Sequence, residues 1–225
     1  MMRTVCFSVL VALAPLSAAC AKPAIDVTRI LPPPPADGSA AQKAELAEVE
    51  ATVAARTPAA LAEATADDRL ENPMIYRSVV GTGFDLEKLP LTAKLFADVM
   101  GAQRAAANDA KDFFHRNRPW VADPALATCG LRGGSHTSYP SGHATMGYAT
   151  GVVLAALIPE KAQAILARAN AYAENRIVCG MHFRRDIVAG QVLGTAVAVT
   201  LLDDTELKAE FDAAEQELKA AHLVQ

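Results

Sequence analysis

The stretch Tyr139-Pro140-Ser141-Gly142-His143-Ala144-Thr145-Met146-Gly147-Tyr148-Ala149-Thr150-Gly151-Val152-Val153-Leu154-Ala155-Ala156-Leu157-Ile158 decides the fold. Tyr139-Pro140 biases the chain to an extended shape, because a residue before proline is pushed out of helical geometry. Ser141 then stands where a helix N-cap is wanted, its hydroxyl able to accept from a first-turn N–H. The run from His143 to Leu157 reads as helix, and between Ala144 and Ile158 it is apolar nearly all round, which places it in a core. Ile187 to Leu202 repeats that pattern, and each run falls short of the usual membrane-spanning length. Gly147 with Gly151, and Gly190 with Gly194, permit close helix crossings in a soluble bundle as readily as in a membrane. Alanine is abundant and β-branched runs are few, which favours helix over sheet. The expected fold is all-α, a single-domain helical bundle.

Outward from this stretch, the punctuation marks further helices. Ser39 with Gln42 reads as a capping box opening a helix to about Ala54, and Thr57-Pro58 starts another that ends near Leu70, before Asn72-Pro73. An irregular stretch containing Gly81, Gly83 and Pro90 follows, then a long helix from Thr92 to His115. Val121 to Tyr139 reads as a loop, Pro159 to Asn175 as an amphipathic helix, and Thr205 to Ala221 as a charged terminal helix on the surface or against a second subunit, as in a homo-oligomer. The N-terminus carries a leader: Met1-Met2-Arg3 is positive, Thr4 to Leu16 largely apolar, and Ser17-Ala18-Ala19 small. The chain thus divides into a signal peptide (1–20), a proline-rich arm (21–38) and a helical domain (39–225) with no transmembrane span after leader removal. Cys20, directly after small residues, also suits a lipid anchor, although Ser17 sits where a leucine-like residue is usual. The expected location is the periplasm.

Six residues spread over three segments suggest the chemistry. His143 opens the central helix, His182 follows Arg176 and precedes Asp186, and Lys111 and Arg118 lie upstream. Arginine forks and a lysine point charge suit a tetrahedral oxyanion. Ser141 and Gly142 add N–H donors at a helix start, where anions are favoured. If a helix begins near Met181, His182 and Asp186 share one face at i, i+4, so the carboxylate can fix the imidazole tautomer and leave the other nitrogen as a nucleophile. His143 is then the proton donor to a leaving group. Arg184 and Arg185 read as an extended positive field or a solvated helix face, while His115, His136 and His222 read as loop or surface residues. Zinc-ligand spacings are missing, so no metal and no cofactor are expected.

The order Lys111, Arg118-Pro119, Pro140-Ser141-Gly142-His143, Arg176, His182 and Asp186 resembles the three-part signature of the phosphatidic acid phosphatase superfamily, whose fold is also that of vanadium haloperoxidases. More narrowly, Leu31-Pro32-Pro33-Pro34-Pro35-Ala36 and Arg176-Ile177-Val178-Cys179-Gly180 resemble segments of bacterial class A nonspecific acid phosphatases. The resemblance implies a secreted, metal-independent, all-helical phosphomonoesterase; small organic phosphates are the expected substrates, and because an alcohol could replace water at a covalent intermediate, some phosphotransferase activity is expected as well. In it His182 is the nucleophile, Asp186 orients it, His143 is the acid, and Lys111, Arg118, Ser141, Gly142 and Arg176 bind phosphate. One position departs from the pattern: Asn175 stands where serine usually precedes the arginine. A lipid phosphatase of the same superfamily, a vanadate-dependent haloperoxidase and a non-catalytic oxyanion-binding envelope lipoprotein are the rival readings.

Composition agrees with one compact domain, and cysteine usage fits an exported protein. The net charge of -4 argues against a nucleic-acid partner. Cys6 and Cys20 belong to the leader or its edge, which leaves Cys129 and Cys179 as the pair in the domain body; in an exported protein they are expected to form a disulfide, with two buried thiols as the alternative. Without the leader about 200 residues remain, enough for one core.

Overall fold

The computed structural model describes residues 25–224, and every regular element among them is helical. The leader, with Cys6 and Cys20, and the first residues of the arm lie outside that range. A single turn, α1 (Val27–Ile30), precedes the extended prolines, and Tyr139 Oη donates to the Pro32 carbonyl at 2.6 Å, which ties the arm to the domain.

Helix α2 (Ala40–Ala55) starts as expected, with Ser39 Oγ accepting from Gln42 N, but the return bond of the box is displaced by one residue. Gln42 Oε1 accepts from Gly38 N at 2.6 Å rather than from the cap residue, with Gly38 in the left-handed region at φ 74. Helix α3 (Pro58–Arg69) is capped by Thr57. The stretch after Asn72, expected to be irregular, instead forms a 3-10 turn (Pro73–Tyr76) running into α4 (Arg77–Val80). Asn72 Oδ1 caps it by accepting from Met74 N, and the turn pays its entropy by burying Ile75, Tyr76 and Val80.

The long helix α5 (Pro90–Phe114) is capped at its start from another helix. Both carboxylate oxygens of Glu217 accept from its first amides, Leu91 N at 3.0 Å and Thr92 N at 2.8 Å. His115 closes α5 in the left-handed conformation at φ 47, which leaves Lys111 in the last turn. One turn, α6 (Pro119–Ala122), interrupts the expected loop, and the next long element, α7 (Gly142–Leu157), is capped by Ser141. A turn at Pro159–Lys161 leads into α8 (Ala162–Val178), which runs further than expected and takes Arg176 into its last turn. Helices α9 (Arg184–Leu202) and α10 (Thr205–Ala220) complete the bundle.

Helix α7 is the centre, packed most closely against α9 and α8, while α5 leans on α10, α7 and α9. The α7–α9 crossing depends on two glycines. A Cβ on Gly190 would lie 2.7 Å from the Ser141 carbonyl oxygen, and one on Gly194 would lie 2.4 Å from that of Thr145. Gly147 and Gly151 serve differently, making room for the Tyr172 and Tyr76 rings rather than for a helix backbone. Two expectations for α9 need correction. It is not buried all round, since Val188, Val192 and Val199 are exposed. Because it starts at Arg184 it has 19 residues, long and apolar enough by length and composition to cross a membrane, although about half of it is buried in this fold. Helix α10 lies on α5 through Leu207, Ala214 and Leu218.

Candidate active site

Helix ends converge on one cavity. Lys111 comes from the last turn of α5, Arg118 from the cap of α6, Gly142 and His143 from the first turn of α7, Arg176 from the last turn of α8, and His182 from the bend before α9. All six line a cleft of about 700 Å³, together with Asp68, Glu71, Thr137, Met181 and the loop from Cys129 to Gly133. The cations gather at the N-terminal mouth of α7, whose free amides favour an anion. Gly142 leaves room there for Lys111, since a Cβ would lie 3.1 Å from its Nζ and that flexible side chain would have to shift slightly.

Hydrogen bonding identifies the His182 tautomer. Arg118 Nη1 lies 2.7 Å from His182 Nε2, and a guanidinium can only donate, so Nε2 is the acceptor. The ring proton therefore sits on Nδ1, which lies 3.3 Å from Asp186 Oδ2. The pairing is the expected one, but its geometry is not that of a shared helix face. His182 lies outside α9, whose N-cap is Phe183, and Asp186 is at the third helical position, where its Oδ2 also accepts from Phe183 N at 2.9 Å. A helix-capping carboxylate thus doubles as the orienting group.

Asp186 is fully buried and saturated with donors. Arg116 Nη1 donates to Oδ1 at 2.5 Å, and Ser138 Oγ donates to Oδ2 at 2.6 Å. Burial pushes its carboxyl up to about 6, against the pull of Arg116, Ser138 and the Phe183 amide. Burial, then Arg118, Arg176 and Lys111, hold His182 well below the usual imidazole range. A neutral ring is what a nucleophilic nitrogen requires.

His143 is held more loosely. Its Nε2 donates to the Asp68 carbonyl at 3.2 Å, Nδ1 is 3.9 Å from Glu71 Oε1, and the ring stacks on Tyr172 with centroids 5.6 Å apart. Burial first, and then Arg176, lower it to about 3, while the Asp68 carbonyl pulls the other way. Burial and Arg118 likewise lower Lys111. Arg176 is anchored by Asp68, Nη1 to Oδ1 at 2.5 Å. Among the described residues the buried Nε atoms of Arg118 and Arg176 have no hydrogen-bond partner.

Ser141 stands apart from the other expected ligands. It is fully buried and does not line the cleft; its Oγ accepts from Ala144 N at 3.3 Å and its N–H donates to the Asp186 carbonyl at 3.0 Å. Asn175 keeps a hydrogen bond: its Nδ2 donates to Asp67 Oδ2 at 2.8 Å, beside the Asp68 that holds Arg176. Cys129 and Cys179 form a disulfide with Cα atoms 4.9 Å apart, fastening the cleft loop to the end of α8. Arg184 pairs with Glu48 and Glu174 outside the cleft. Sequence reasoning missed Arg116, Ser138, Asp68 and Glu45, because nothing in their local pattern distinguishes them from surface polar residues. Among the described residues no group of three or more His, Cys, Asp or Glu side chains is placed to hold a metal ion.

Comparison with known proteins gives the family. The profile of the PAP2 superfamily matches residues 93–207. The chain is 32% identical over 197 residues to an acid phosphatase of Zymomonas mobilis, covering 85% of this chain and 75% of that protein. It is 28% identical over 202 residues to a non-specific acid phosphatase of Providencia stuartii, covering 86% of this chain and 81% of the relative. Among solved structures, the transmembrane PAP2 type phosphatidylglycerolphosphate phosphatase from Bacillus subtilis shares the fold, with a TM-score of 0.57 at 20% identity over 78% of this chain and 88% of that one.

Proposed function

The chain belongs to the PAP2 superfamily and is a phosphatase of that family, and from this premise we propose that it is an exported, periplasmic acid phosphatase that hydrolyses small organic phosphate monoesters through a phosphohistidine at His182. One observation carries the reading: His182 keeps its proton on Nδ1, toward Asp186, and turns the lone pair of Nε2 to a cleft lined by Lys111, Arg118 and Arg176.

In the reaction the phosphate dianion takes the three cations as partners, and Arg118 exchanges its bond to Nε2 for bonds to phosphate oxygens. Nε2 then forms the N–P bond as the ester P–O bond breaks, while the proton on Nδ1 stays in its bond to Asp186. The departing alkoxide takes a proton from His143. An unliganded site keeps His143 neutral through burial and nearby cations; an entering dianion offsets those cations and raises its proton affinity, so the acid is charged when substrate is present. Water next attacks phosphorus and gives a proton to His143, the N–P bond breaks, and orthophosphate leaves with both rings restored. An alcohol in place of water yields a transferred phosphate ester.

The outer end of the cleft supports a broad substrate range. Arg69, Glu71 and Leu131 give a mixed lining there, and Leu131 is 94% exposed, so among the described residues this side leaves the organic part of a substrate open. The test is rapid quenching with a radiolabelled monoester. The label is expected to be acid-labile, alkali-stable and lost in His182→Ala; a label on serine, or turnover surviving in that variant, overturns the assignment.

A further inference from the structure

Behind Asp186 the charges continue through two residues that no step above uses. Arg116, only 3% exposed, donates from Nη1 to Asp186 Oδ1 at 2.5 Å and from Nη2 to Glu45 Oε2 at 2.6 Å. Its guanidinium lies 4.3 Å over the Phe183 ring, and its carbonyl accepts from Ser138 N at 3.1 Å. Glu45, reaching in from α2, accepts with its other oxygen from Arg185 N at 2.7 Å, in the first turn of α9. One carboxylate therefore both caps the helix that carries Asp186 and shares the guanidinium that neutralises it.

We propose that Glu45, acting through Arg116, is a positioning residue that sets the basicity of the His182–Asp186 pair. The proposal rests on the phosphohistidine reading and adds α2 to the machinery. Bonded to Asp186 alone, Arg116 would hold that carboxylate as a weak acceptor. With the guanidinium divided between two carboxylates, Asp186 keeps more of its charge for the Nδ1–H of His182, where positive charge grows as the N–P bond forms. The surrounding field makes this contribution matter. The pair is faced by Lys111 from α5, Arg118 from the loop before α6, Arg176 from α8 and the His143 ring from α7, with Ser138 and Tyr139 from the segment before α7 and Arg185 beside Glu45. Against those cations stand Asp186, Glu45, Asp68, which Arg176 engages, and Glu71 at the rim.

The experiment compares pH profiles of kcat/KM for wild type, Glu45→Gln and Glu45→Asp with a small phosphate monoester, alongside thermal melts and quench labelling. Removing the charge of Glu45 lowers the proton affinity of the coupled pair, so the acid limb moves to lower pH. The expected shift in Glu45→Gln is about one unit, and kcat falls about tenfold with KM little changed. Glu45→Asp, which keeps the charge on a shorter arm, gives an intermediate loss and shift, and carries the test if the glutamine variant does not fold. A folded variant with an unmoved limb, whatever its rate, reduces Glu45 to a structural cap and overturns the proposal. Wild-type enzyme without label on His182 would instead overturn the mechanism on which it rests, so the two failures are separable.

Discussion

The two imidazoles of the cleft sit in opposite kinds of surroundings. His182 is fixed by Arg118 on one nitrogen and Asp186 on the other, and Asp186 is itself held by Arg116, Ser138 and the Phe183 amide. Among the described residues His143 has one hydrogen bond, to a carbonyl, with a distant carboxylate and a ring to lie against. The contrast suits the tasks that the proposed mechanism gives them. A nucleophile must present one lone pair in one direction, which a saturated network enforces; an acid must change protonation within each turnover, which such a network would oppose.

The most severe way to break this contrast is Asp186→Asn. An amide cannot take the same set of donors, and it leaves Arg116 with one carboxylate fewer, so kcat is expected to fall about 10³-fold and unfolding stability by several kcal/mol, on the order of 3–5. Steady-state kinetics with a denaturant titration measure both. Loss of the looser residue is milder and depends on substrate: His143→Ala should cost about 10²-fold on alkyl phosphates and far less on esters whose leaving group needs no proton. Equal losses on both substrate types would show that His143 is not the acid.

A third test uses sulfate, a dianion without a proton of its own near neutral pH. His143 is depressed to about 3 in the free site and rises when an anion offsets the cations, so binding takes up a proton. Affinity should therefore grow as pH falls from 7 toward 5, by up to about tenfold per unit, with the slope reduced in His143→Asn. The same depression affects folding. Relative to an unfolded histidine, a neutral buried His143 adds stability above the ordinary imidazole value of 6.5 that is lost as pH falls toward about 3; Asp186, raised to about 6, acts in the opposite direction, its contribution being present below the ordinary 3.8 and lost as pH rises through about 6. The smallest effect addresses what both surroundings share. Gly190→Ala puts a methyl 2.7 Å from the Ser141 carbonyl oxygen, at the crossing that sets α7 against α9. Thermal unfolding should show a loss of about 1–3 kcal/mol, with less effect on rate than either substitution above.

Much of the helix order was legible, and for stated reasons. Ser39, Thr57 and Ser141 cap the helices their patterns predict, and the glycine pair of α9 does allow a close crossing. The misreadings occurred where long-range contacts act. Helix α5 begins earlier than its own residues indicate, at a site where Glu217 supplies the cap, and α8 extends through Arg176 toward Asp68. The valine stripe of α9 read as core because composition does not record which face meets a neighbour.

Sequence alone singled out the candidate groups for the proposed chemistry, two histidines, an aspartate and three cations, with residue types and order enough to identify the superfamily. Tertiary structure decided what those groups experience. Burial, the donors around Asp186, the Arg116–Glu45 pairing and the withdrawal of Ser141 behind the wall come from helices far apart in the chain. Charge and proton affinity depend on the dielectric and neighbours that packing supplies, and residue identity along a chain does not specify these.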